Sequence, residues 1–566
     1  MMSIQRTTVT ANSESELALS FAIVCIVGVL ASIVYPTAMV CDAGEVLYNG
    51  IELPDPWPPR PEGFSRDPQP DPPYLATPPK VIPIDVGRQL FVDDFLIEST
   101  TLKREYHQPK WHPENPVFKA EKPWEFHGER NIPFAAPFSD GVWYDPTDRL
   151  LKMWYMGGSG LYFCLATSTD GIHWDRPALG QSSVYPESNI LKIEPIERDS
   201  SIVWLDLDDP DPAKRYKMFY FRSALQTRFS ADGIHWSEIV VEQKEVGDRT
   251  TVFYNPFRKL WIYSVRSGRN PVGRCRYYGE SRDVSVKSWE RMDELSIWAS
   301  ADTLDRVQPV EFKEKLPDLY NLDATPYESL IVGFFTIHSH IAKGDRPKMN
   351  HVTLGYSRDG YHWHRPDRQP FLNVSDDKEA WNYGNVQPAG GGCLVMGDQL
   401  YFYCSGRNSH KPEDDGTGGS TGLAVLRRDG FASLSAEDKA GTLTTRPVRF
   451  DGRHLFVNVD AKAGELQVEV LDERGKVIPA FSRDKCRTIS ANTTSLPVTW
   501  KGTETLASLN GKPVRFRFSL KKGKLYSFWV SPDPTGASYG YVAAGGPAFI
   551  SHRDTVGNGD AVAKKK

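Results

Sequence analysis

Cysteine and unbalanced charge are what this sequence has little of. Its 566 residues include only seven cysteines and no Cys-x-x-Cys pair. That pattern excludes a metal knuckle and a dense disulfide scaffold. The 67 Lys and Arg residues nearly balance the 72 Asp and Glu residues, so the formal net charge is -5. Proteins whose main partner is nucleic acid usually carry a clear basic excess, so the composition argues against that class.

Helical periodicity and metal-ligand spacing are also scarce. Between residues 86 and 440 the helical period is almost absent, and no pair of histidines has ligand spacing. We therefore expect no metal and no cofactor. The chain is instead rich in ring side chains, with 42 Pro, 15 Trp, 24 Tyr and 27 Phe. Such a composition suits strand-rich folds and sugar-binding surfaces.

Long apolar runs are confined to the N-terminus. Residues 17–34 are apolar, follow a polar segment and precede small residues that end at Ala43. We interpret residues 1–43 as a cleaved export signal, with an uncleaved membrane anchor as the alternative, because such a run can just span a bilayer. Either interpretation predicts a secreted, periplasmic or cell-envelope protein, with membrane attachment through residues 17–34 in the second case. Residues 44–85 are proline-rich and predict an extended spacer.

An internal repeat is the most informative pattern. The motif Ser-x-Asp-Gly-x-x-Trp occurs at Ser168–Trp174, Ser230–Trp236 and Ser357–Trp363, with degenerate copies near Asp283 and Asp429. A strand, a turn and an aromatic strand precede each copy. Glycine accepts positive φ and aspartate caps its own turn, so the motif is structural. Five units of about 50–70 residues predict an all-β fold with a five-bladed β-propeller over residues 86–440.

The pattern of apolar and polar residues changes after residue 440. Two stretches alternate apolar and polar residues around Glu-Arg-Gly and Lys-Lys-Gly turns. Such alternation is typical of antiparallel strands. Residues 441–566 therefore predict a small antiparallel β-sandwich with a frayed tail.

Carboxylates stand just before several of the predicted innermost strands. Asp199, Asp248 and Asp323 have this position in three units, and Glu129 lies slightly further upstream in the first. Because innermost strands of a propeller surround one channel, we expect these acids to face one another. Paired carboxylates are the minimum for glycoside hydrolysis, one as general acid and one as base or nucleophile. The alternative is that they form structural ion pairs between blades.

A second set of residues near the same positions is predicted to bind substrate. Adjacent arginines orient carboxylates or hold substrate oxygens, aromatic faces stack on sugar rings, and a further acid lies beside tyrosines on a later strand. The set is Arg130, Arg198, Arg249, Glu280, Trp381 and Asn385. For the tryptophan, packing within a blade is the alternative.

Two short segments carry a resemblance to a known superfamily. Arg198-Asp199 followed by Ser-Ser-Ile-Val-Trp resembles the Arg-Asp-Pro segment of family 32 glycoside hydrolases, and the Asn115-Pro116-Val segment resembles the entry of family 130 phosphorylases. The chain thus resembles the five-bladed propeller glycoside hydrolases of families 32, 43, 62, 68 and 130. The resemblance implies that Asp199 supports the transition state and that Asp248 is the general acid. A channel Ca²⁺ occurs in some relatives, but no residue pattern here indicates one.

The first unit departs from that superfamily. Phe138 stands where the relatives have an aspartate, so Glu129 or Asp323 has to supply the base or nucleophile. The sequence predicts a secreted glycoside hydrolase that cleaves a polysaccharide or oligosaccharide. The main alternative is a non-catalytic carbohydrate-binding surface propeller. A sialidase-type enzyme would need Arg130, Arg198 and Arg249 to converge, and a phosphorylase would need a basic phosphate pocket.

Overall fold

A computed structural model of the chain describes residues 44–61, 63–127, 132–193, 198–269, 272–305, 316–339, 349–408 and 418–557. The predicted signal or anchor and the candidates Glu129 and Arg130 lie outside these ranges. The described residues are nearly all-β, with one short α-helix, Pro73–Ala76. None of their helices is long and apolar enough to cross a membrane. Single 3-10 turns occur at Pro123–Glu125, Pro212–Lys214, Met292–Glu294, Pro479–Phe481 and Ala507–Leu509.

Five short strands precede the repeated part of the chain. They are β1 (Ile82–Pro83), β2 (Gln89–Leu90), β3 (Ile97–Thr100), β4 (Lys103–Tyr106) and β5 (Lys110–Trp111). The residues before them, predicted to be a spacer, pack onto the folded body. Leu47, Ile51 and Leu53 are buried, and Asn49 Nδ2 donates to the carbonyl of Arg358 at 2.9 Å. These apolar residues, which precede the first proline of the segment, account for this packing, since their burial stabilises an ordered segment.

The repeated part forms consecutive units of antiparallel strands. The first unit is β6 (Ala135–Asp145), β7 (Leu150–Gly157) and β8 (Tyr162–Ser168). The second is β9 (Ser201–Leu205), β10 (Tyr216–Phe221), β11 (Leu225–Ser230) and β12 (Val241–Gln243). The third is β13 (Thr251–Asn255), β14 (Leu260–Arg269), β15 (Gly273–Ser281) and β16 (Ser296–Ser300).

The next two units share one sheet. The fourth unit is β17 (Asp318–Glu328), β18 (Leu330–Ser339) and β19 (Met349–Ser357). The fifth is β20 (Asn385–Pro388), β21 (Leu394–Met396), β22 (Gln399–Arg407) and β23 (Ser420–Arg427). A single parallel pair, Asn350 with Asn385, joins β19 to β20. The N-terminal strand β5 pairs with β23, so the fifth unit is completed by an earlier part of the chain.

The Asp-Gly motif forms the predicted structural turn. Asp170 Oδ1 accepts from the backbone amides of Ile172 at 2.8 Å and His173 at 2.9 Å, and Gly171 has a φ of 78°. The copies at Asp232 and Asp359 make the same bonds. The turns also join units, because Trp154 Nε1 of the first unit donates to Gly233 O of the second at 2.9 Å. The structural interpretation of the repeat is confirmed.

Two further sheets combine residues from both ends of the chain. The C-terminal strands are β24 (Ala432–Ala436), β25 (Gly441–Thr445), β26 (Val448–Arg449), β27 (His454–Asp460), β28 (Glu465–Asp472), β29 (Asn492–Pro497), β30 (Val514–Lys521), β31 (Gly523–Ser531) and β32 (Tyr541–Val542). One sheet has the order β1-β26-β30-β25-β3 with β28 on β30, and the other β29-β27-β31-β24-β4 with β2 on β31. The predicted boundaries at 86 and 440 therefore do not separate these sheets from the repeated units. In addition, β32 pairs with β17.

Candidate functional site

The first strands of successive units lie against one another. β6 contacts β9 and β20, β9 contacts β13, and β13 contacts β17. Residues at the starts of these strands therefore come together from several units. We call this region the central site.

Asp140 enters the central site through a bulge in β6. The pairing of β6 with β7 shifts register between Ala136 and Gly141. Within the bulge, Phe138 and Ser139 have left-handed φ angles of 41° and 81°. Such angles are strained for residues other than glycine and cluster at functional sites. Phe138, which the sequence analysis places where the resembling families have an aspartate, therefore lies in the same bulge as Asp140.

Arg198 forms a buried ion pair with Asp140. Both side chains are fully buried, and Arg198 Nη1 lies 2.8 Å from Asp140 Oδ2. Arg198 Nη2 and Ser201 Oγ donate to the other carboxylate oxygen. Burial raises the pKa of Asp140 to about 6, although Arg198 and Ser201 oppose the rise. Arg198 thus contacts an acid that the sequence analysis does not identify.

Arg249 reaches the same bulge from the third unit. It has a left-handed φ of 60° and is buried. Its Nη1 donates to Phe138 O at 3.0 Å, and its Nη2 donates to Ser139 Oγ at 2.8 Å. The guanidinium carbon lies 4.2 Å from the centroid of the Phe138 ring. Arg249 therefore holds the strained segment with backbone and hydroxyl contacts rather than with a carboxylate.

Asp323 is a buried carboxyl of β17 beside two arginines. Asn321 Nδ2 donates to it, and the charges of Arg249 and Arg276 act on it. Burial raises the pKa of Asp323 to about 7, and the arginines only partly offset that rise. Arg276 of β15 donates to Arg249 O at 2.6 Å and to Tyr320 O. A carboxyl with a pKa near neutrality can donate a proton at physiological pH.

Asp199 provides a carboxylate oxygen that has no hydrogen-bond partner in the described part of the chain. Its amide donates to Phe221 O at 3.2 Å, while its buried Oδ1 accepts no hydrogen bond from the described residues. Arg407 of β22 lies near it, with its guanidinium carbon 4.9 Å from the ring centroids of both Phe134 and Phe138. Burial lowers the pKa of Arg407, an effect that the Asp199 charge partly offsets. Asp199 is therefore available to a ligand.

Asn385 lies on β20 at the edge of this group. Gln387 Nε2 donates to Asn385 Oδ1 at 2.9 Å, and the buried Gln387 Oε1 has no partner among the described residues. Gln387 pairs in register with Ser405, whose Oγ accepts from the amide of Phe138 at 2.7 Å. The predicted Asn385 is thus linked to the strained segment through its neighbours.

Two predicted acids lie away from this group. Asp248 is half-buried and pairs with Arg266 at 3.2 Å. The left-handed turn at Arg249 brings the arginine inward and leaves Asp248 at the rim. Glu280 lies four residues along β15 from Arg276, where it pairs with Arg258 at 2.7 Å. Each of these carboxylates is therefore engaged by an arginine outside the central site.

The ring of Trp381 packs against neighbouring residues of the fold. Its ring lies on Gly406 and Gly422, where an added Cβ would come within 1.9 Å of it. It also meets Trp111 edge-on, with ring centroids 5.4 Å apart. Both contacts favour the packing alternative stated above.

The residues that the sequence analysis did not identify are Asp140, Arg276, Asn321, Gln387 and Arg407. Asp140 had a usable signal, a Ser-Asp-Gly segment directly before an aromatic strand. Arg276 and Arg407 had none, because they lie on later strands than the one that the repeat marks. Among the described residues no group of three or more His, Cys, Asp or Glu side chains can hold a metal ion.

Comparisons with known proteins give structural neighbours only. No family model matches the chain, and no curated protein matches it. A β-fructofuranosidase from Schwanniomyces occidentalis is 14% identical, with 75% of this chain and 97% of that chain covered and a TM-score of 0.35. A family 43 arabinoxylan arabinofuranohydrolase from Bacillus subtilis is 9% identical, with 73% and 99% covered and a TM-score of 0.33.

A third neighbour belongs to the GH130 family of mannoside phosphorylases, which contains glycoside hydrolases that target β-1,2-mannosidic linkages in Candida mannan. It is 13% identical, with 60% of this chain and 96% of that chain covered and a TM-score of 0.36. Families 43 and 130 are among those that the sequence resembles. At these identities and TM-scores, function has to be inferred from the residues of the central site.

Proposed function

We propose that this protein is a glycoside hydrolase with its active site at the central site. The observation that carries the proposal is the presence of two unlike carboxyls beside the arginines of the central site. Asp323 is buried and has a pKa raised to about 7, whereas Asp199 has a buried oxygen that accepts no hydrogen bond from the described residues. Pairs of carboxyls whose environments separate their protonation states are typical of acid/base catalysis.

The environments assign a role to each carboxyl. Asp323 is the general acid, because its proton is retained up to neutral pH and can pass to the leaving oxygen. Asp199 is the base or nucleophile, since its free oxygen can accept a proton from water or attack carbon. Asp140 is a positioning residue, because hydrogen bonds from Arg198 and Ser201 occupy both of its oxygens. Asp248, named as the acid by the superfamily resemblance, has no such role here.

The architecture that fits this site is a five-bladed β-propeller followed by a β-sandwich. The five antiparallel units and the contacts between their first strands support the propeller. Phe516 of β30 packs against Phe528 of β31 with ring centroids 5.7 Å apart, which supports two facing sheets. Secretion follows in this proposal from the apolar run at residues 17–34.

The test is turnover by the full-length protein on a panel of polysaccharides and aryl glycosides. Asp323→Asn and Asp199→Asn are each expected to lower release of reducing sugar by about 10²- to 10⁴-fold. Glu280→Gln is the matched control, since that acid is ion-paired away from the site, and it should retain activity. Undiminished turnover in Asp323→Asn would show that Asp323 is not the general acid. Absence of turnover on the whole panel would contradict the proposal.

A non-catalytic carbohydrate-binding propeller is the second candidate. The ion pair of Asp140 with Arg198 favours it, because that pair uses an acid which a three-carboxylate enzyme would leave free. This candidate predicts glycan binding without turnover, with the same affinity in wild type and Asp323→Asn. Equilibrium dialysis of the two proteins against the same panel separates the candidates.

A further inference from the structure

Three arginines of the central site have no carboxylate partner within the described residues. We call Arg249, Arg276 and Arg407 the arginine cluster. Four other buried arginines are ion-paired, as the following contacts show: Arg88 with Asp429, Arg198 with Asp140, Arg358 with Asp93, and Arg428 with Asp554. Leaving a buried charge uncompensated is costly. A cluster of such charges therefore needs an explanation beyond folding.

The contacts of the cluster leave hydrogen-bonding capacity unused. Arg276 donates to backbone carbonyls and Arg249 to a carbonyl and a hydroxyl. Arg407 makes no hydrogen bond with the described residues and is held by ring contacts with Phe134 and Phe138. The Nε atoms of all three arginines are buried without acceptors. A guanidinium offers five donors in a planar fork that suits an oxyanion.

Nearby carboxyls do not neutralise the cluster. Asp323 lies close to Arg249 and Arg276, but burial raises its pKa to about 7, so it is partly protonated at neutral pH. Asp199 acts on Arg407. Asp248 acts on Arg276 and Asp140 acts on Arg249, but Asp248 is paired with Arg266 and Asp140 with Arg198. Among the described residues, the three guanidinium groups therefore have Asp323 and Asp199 as the nearby carboxyls that are not paired with another arginine. Burial and the neighbouring Arg249 charge lower the pKa of Arg276 to about 9, as expected where positive charge is in excess.

Unpartnered acceptors lie in the same site. Asp199 Oδ1, Asn321 Oδ1 and Gln387 Oε1 are buried and accept no hydrogen bond from the described residues. Buried acceptors are normally satisfied, so these atoms call for donors on a ligand. Hydroxyl groups of a sugar supply such donors, whereas a bare inorganic ion supplies few. The ligand that fits both observations has hydroxyl groups and an oxyanion.

We propose that the arginine cluster binds an oxyanion carried by the sugar substrate, either a uronate carboxylate or a sulfate ester. The proposal rests on the proposed function, because it names the substrate class of that site. Free phosphate has the same chemistry and would make the site that of a phosphorylase. The two sources of the oxyanion are separated by experiment.

The first measurement is binding by the full-length protein at constant ionic strength. The probes are uronate-bearing and sulfated oligosaccharides, their methyl-esterified or desulfated counterparts, and inorganic sulfate and phosphate. The acidic oligosaccharide is expected to bind about tenfold or more tightly than its neutral counterpart. In Arg407→Gln this preference should disappear, and in Arg407→Lys, which restores the charge, part of it should return.

Arg427→Gln is the matched control. The guanidinium carbon of Arg427 also packs on a ring, 4.7 Å from the centroid of Tyr526, but it bonds Asn458 far from the central site. This variant should keep the preference for acidic sugars. Equal binding of acidic and neutral sugars by wild type, or an unchanged preference in Arg407→Gln, would overturn the proposal.

Failure of this proposal differs from failure of the proposed function. Turnover of neutral glycans without preference for acidic ones would overturn the substrate class and keep the hydrolase. Tight binding of acidic sugars without turnover would keep the substrate class and overturn the hydrolase. Turnover that requires inorganic phosphate and releases a sugar phosphate would assign the cluster to free phosphate, and the sugar-borne oxyanion would be wrong.

Discussion

Two groups of arginines have different partners in this protein. The junction arginines, Arg88, Arg358 and Arg428, lie between the repeated units and the C-terminal sheets and meet carboxylates there. The arginine cluster meets carbonyls, rings and a hydroxyl instead. Paired charges fix one arrangement of neighbouring elements, whereas unpaired charges keep capacity for a ligand. Arginine thus connects neighbouring elements in one region and forms a candidate binding site in the other.

The largest expected effect comes from breaking a junction pair. Arg358 donates to both oxygens of Asp93, at 2.7 and 2.9 Å, and both side chains are buried. Arg358→Met leaves Asp93 buried without its partner, so we expect a loss of about 3–5 kcal/mol in the free energy of unfolding. Urea unfolding followed by tryptophan fluorescence measures it. The added substitution Asp93→Asn should recover part of the loss, and a loss below about 1 kcal/mol would contradict a structural role.

Asp323→Asn is expected to stabilise the protein in a pH-dependent way. The folded-state pKa of Asp323 is about 7, above its unfolded value, so folding disfavours the charged form. Stability from the protonated carboxyl is complete below the unfolded pKa and is lost as the pH rises through 7. The free energy of unfolding of the asparagine variant should therefore rise relative to wild type between about pH 4 and 7, by about 4 kcal/mol at the plateau. Thermal unfolding at several pH values measures the gain, and a pH-independent difference would contradict burial as its cause.

The pH dependence of turnover sharpens the assignment of the acid. Since Asp323 has to be protonated to act, kcat/KM should fall about tenfold per pH unit above pH 7. Initial rates between pH 5 and 9 give the profile. A rate that stays constant up to pH 9 would show that another group donates the proton.

The smallest effect is expected in the arginine cluster. Arg407→Met keeps the apolar contacts with Phe134 and Phe138 and removes an uncompensated charge that makes no hydrogen bond with the described residues. We expect the free energy of unfolding to stay within about 0.5 kcal/mol of wild type or to rise. The same urea experiment as for Arg358→Met provides the comparison. A loss as large as that of Arg358→Met would make the two groups of arginines equivalent.

The repeated units and part of the central site could be predicted because their signals are local. Strand alternation and the Asp-Gly turns depend on neighbouring residues, and Asp199 and Arg249 lie just before the first strands of their units, whereas Asp323 lies within β17. Counting back five residues from the turn residues Asp145, Asp206, Asn255 and Glu328 gives Asp140, Ser201, Thr250 and Asp323. That count marks Asp140, although the bulge that brings it inward has no sequence signature of its own.

The rest depended on contacts between distant residues. Arg407 and Arg276 enter the central site from later strands of their units, so position before a first strand does not reveal them. Asp248 and Arg249 are neighbours in the sequence, and the left-handed backbone conformation of Arg249 directs their side chains to different places. The pairing of β1 to β4 with C-terminal strands joins segments that no local pattern connects.

Because early strands pair with late strands, the early strands stay unpaired until the late part of the chain has been synthesised. Ser435 Oγ of β24 donates to Glu105 of β4 across 330 residues of sequence. At ribosomal rates, roughly 15 to 65 s pass between the emergence of the two. During that time the early strands present unpaired edges, which are templates for mispairing. A nascent chain would therefore need protection of its first strands until the last part is made, and truncation near residue 430 would leave those edges permanently open.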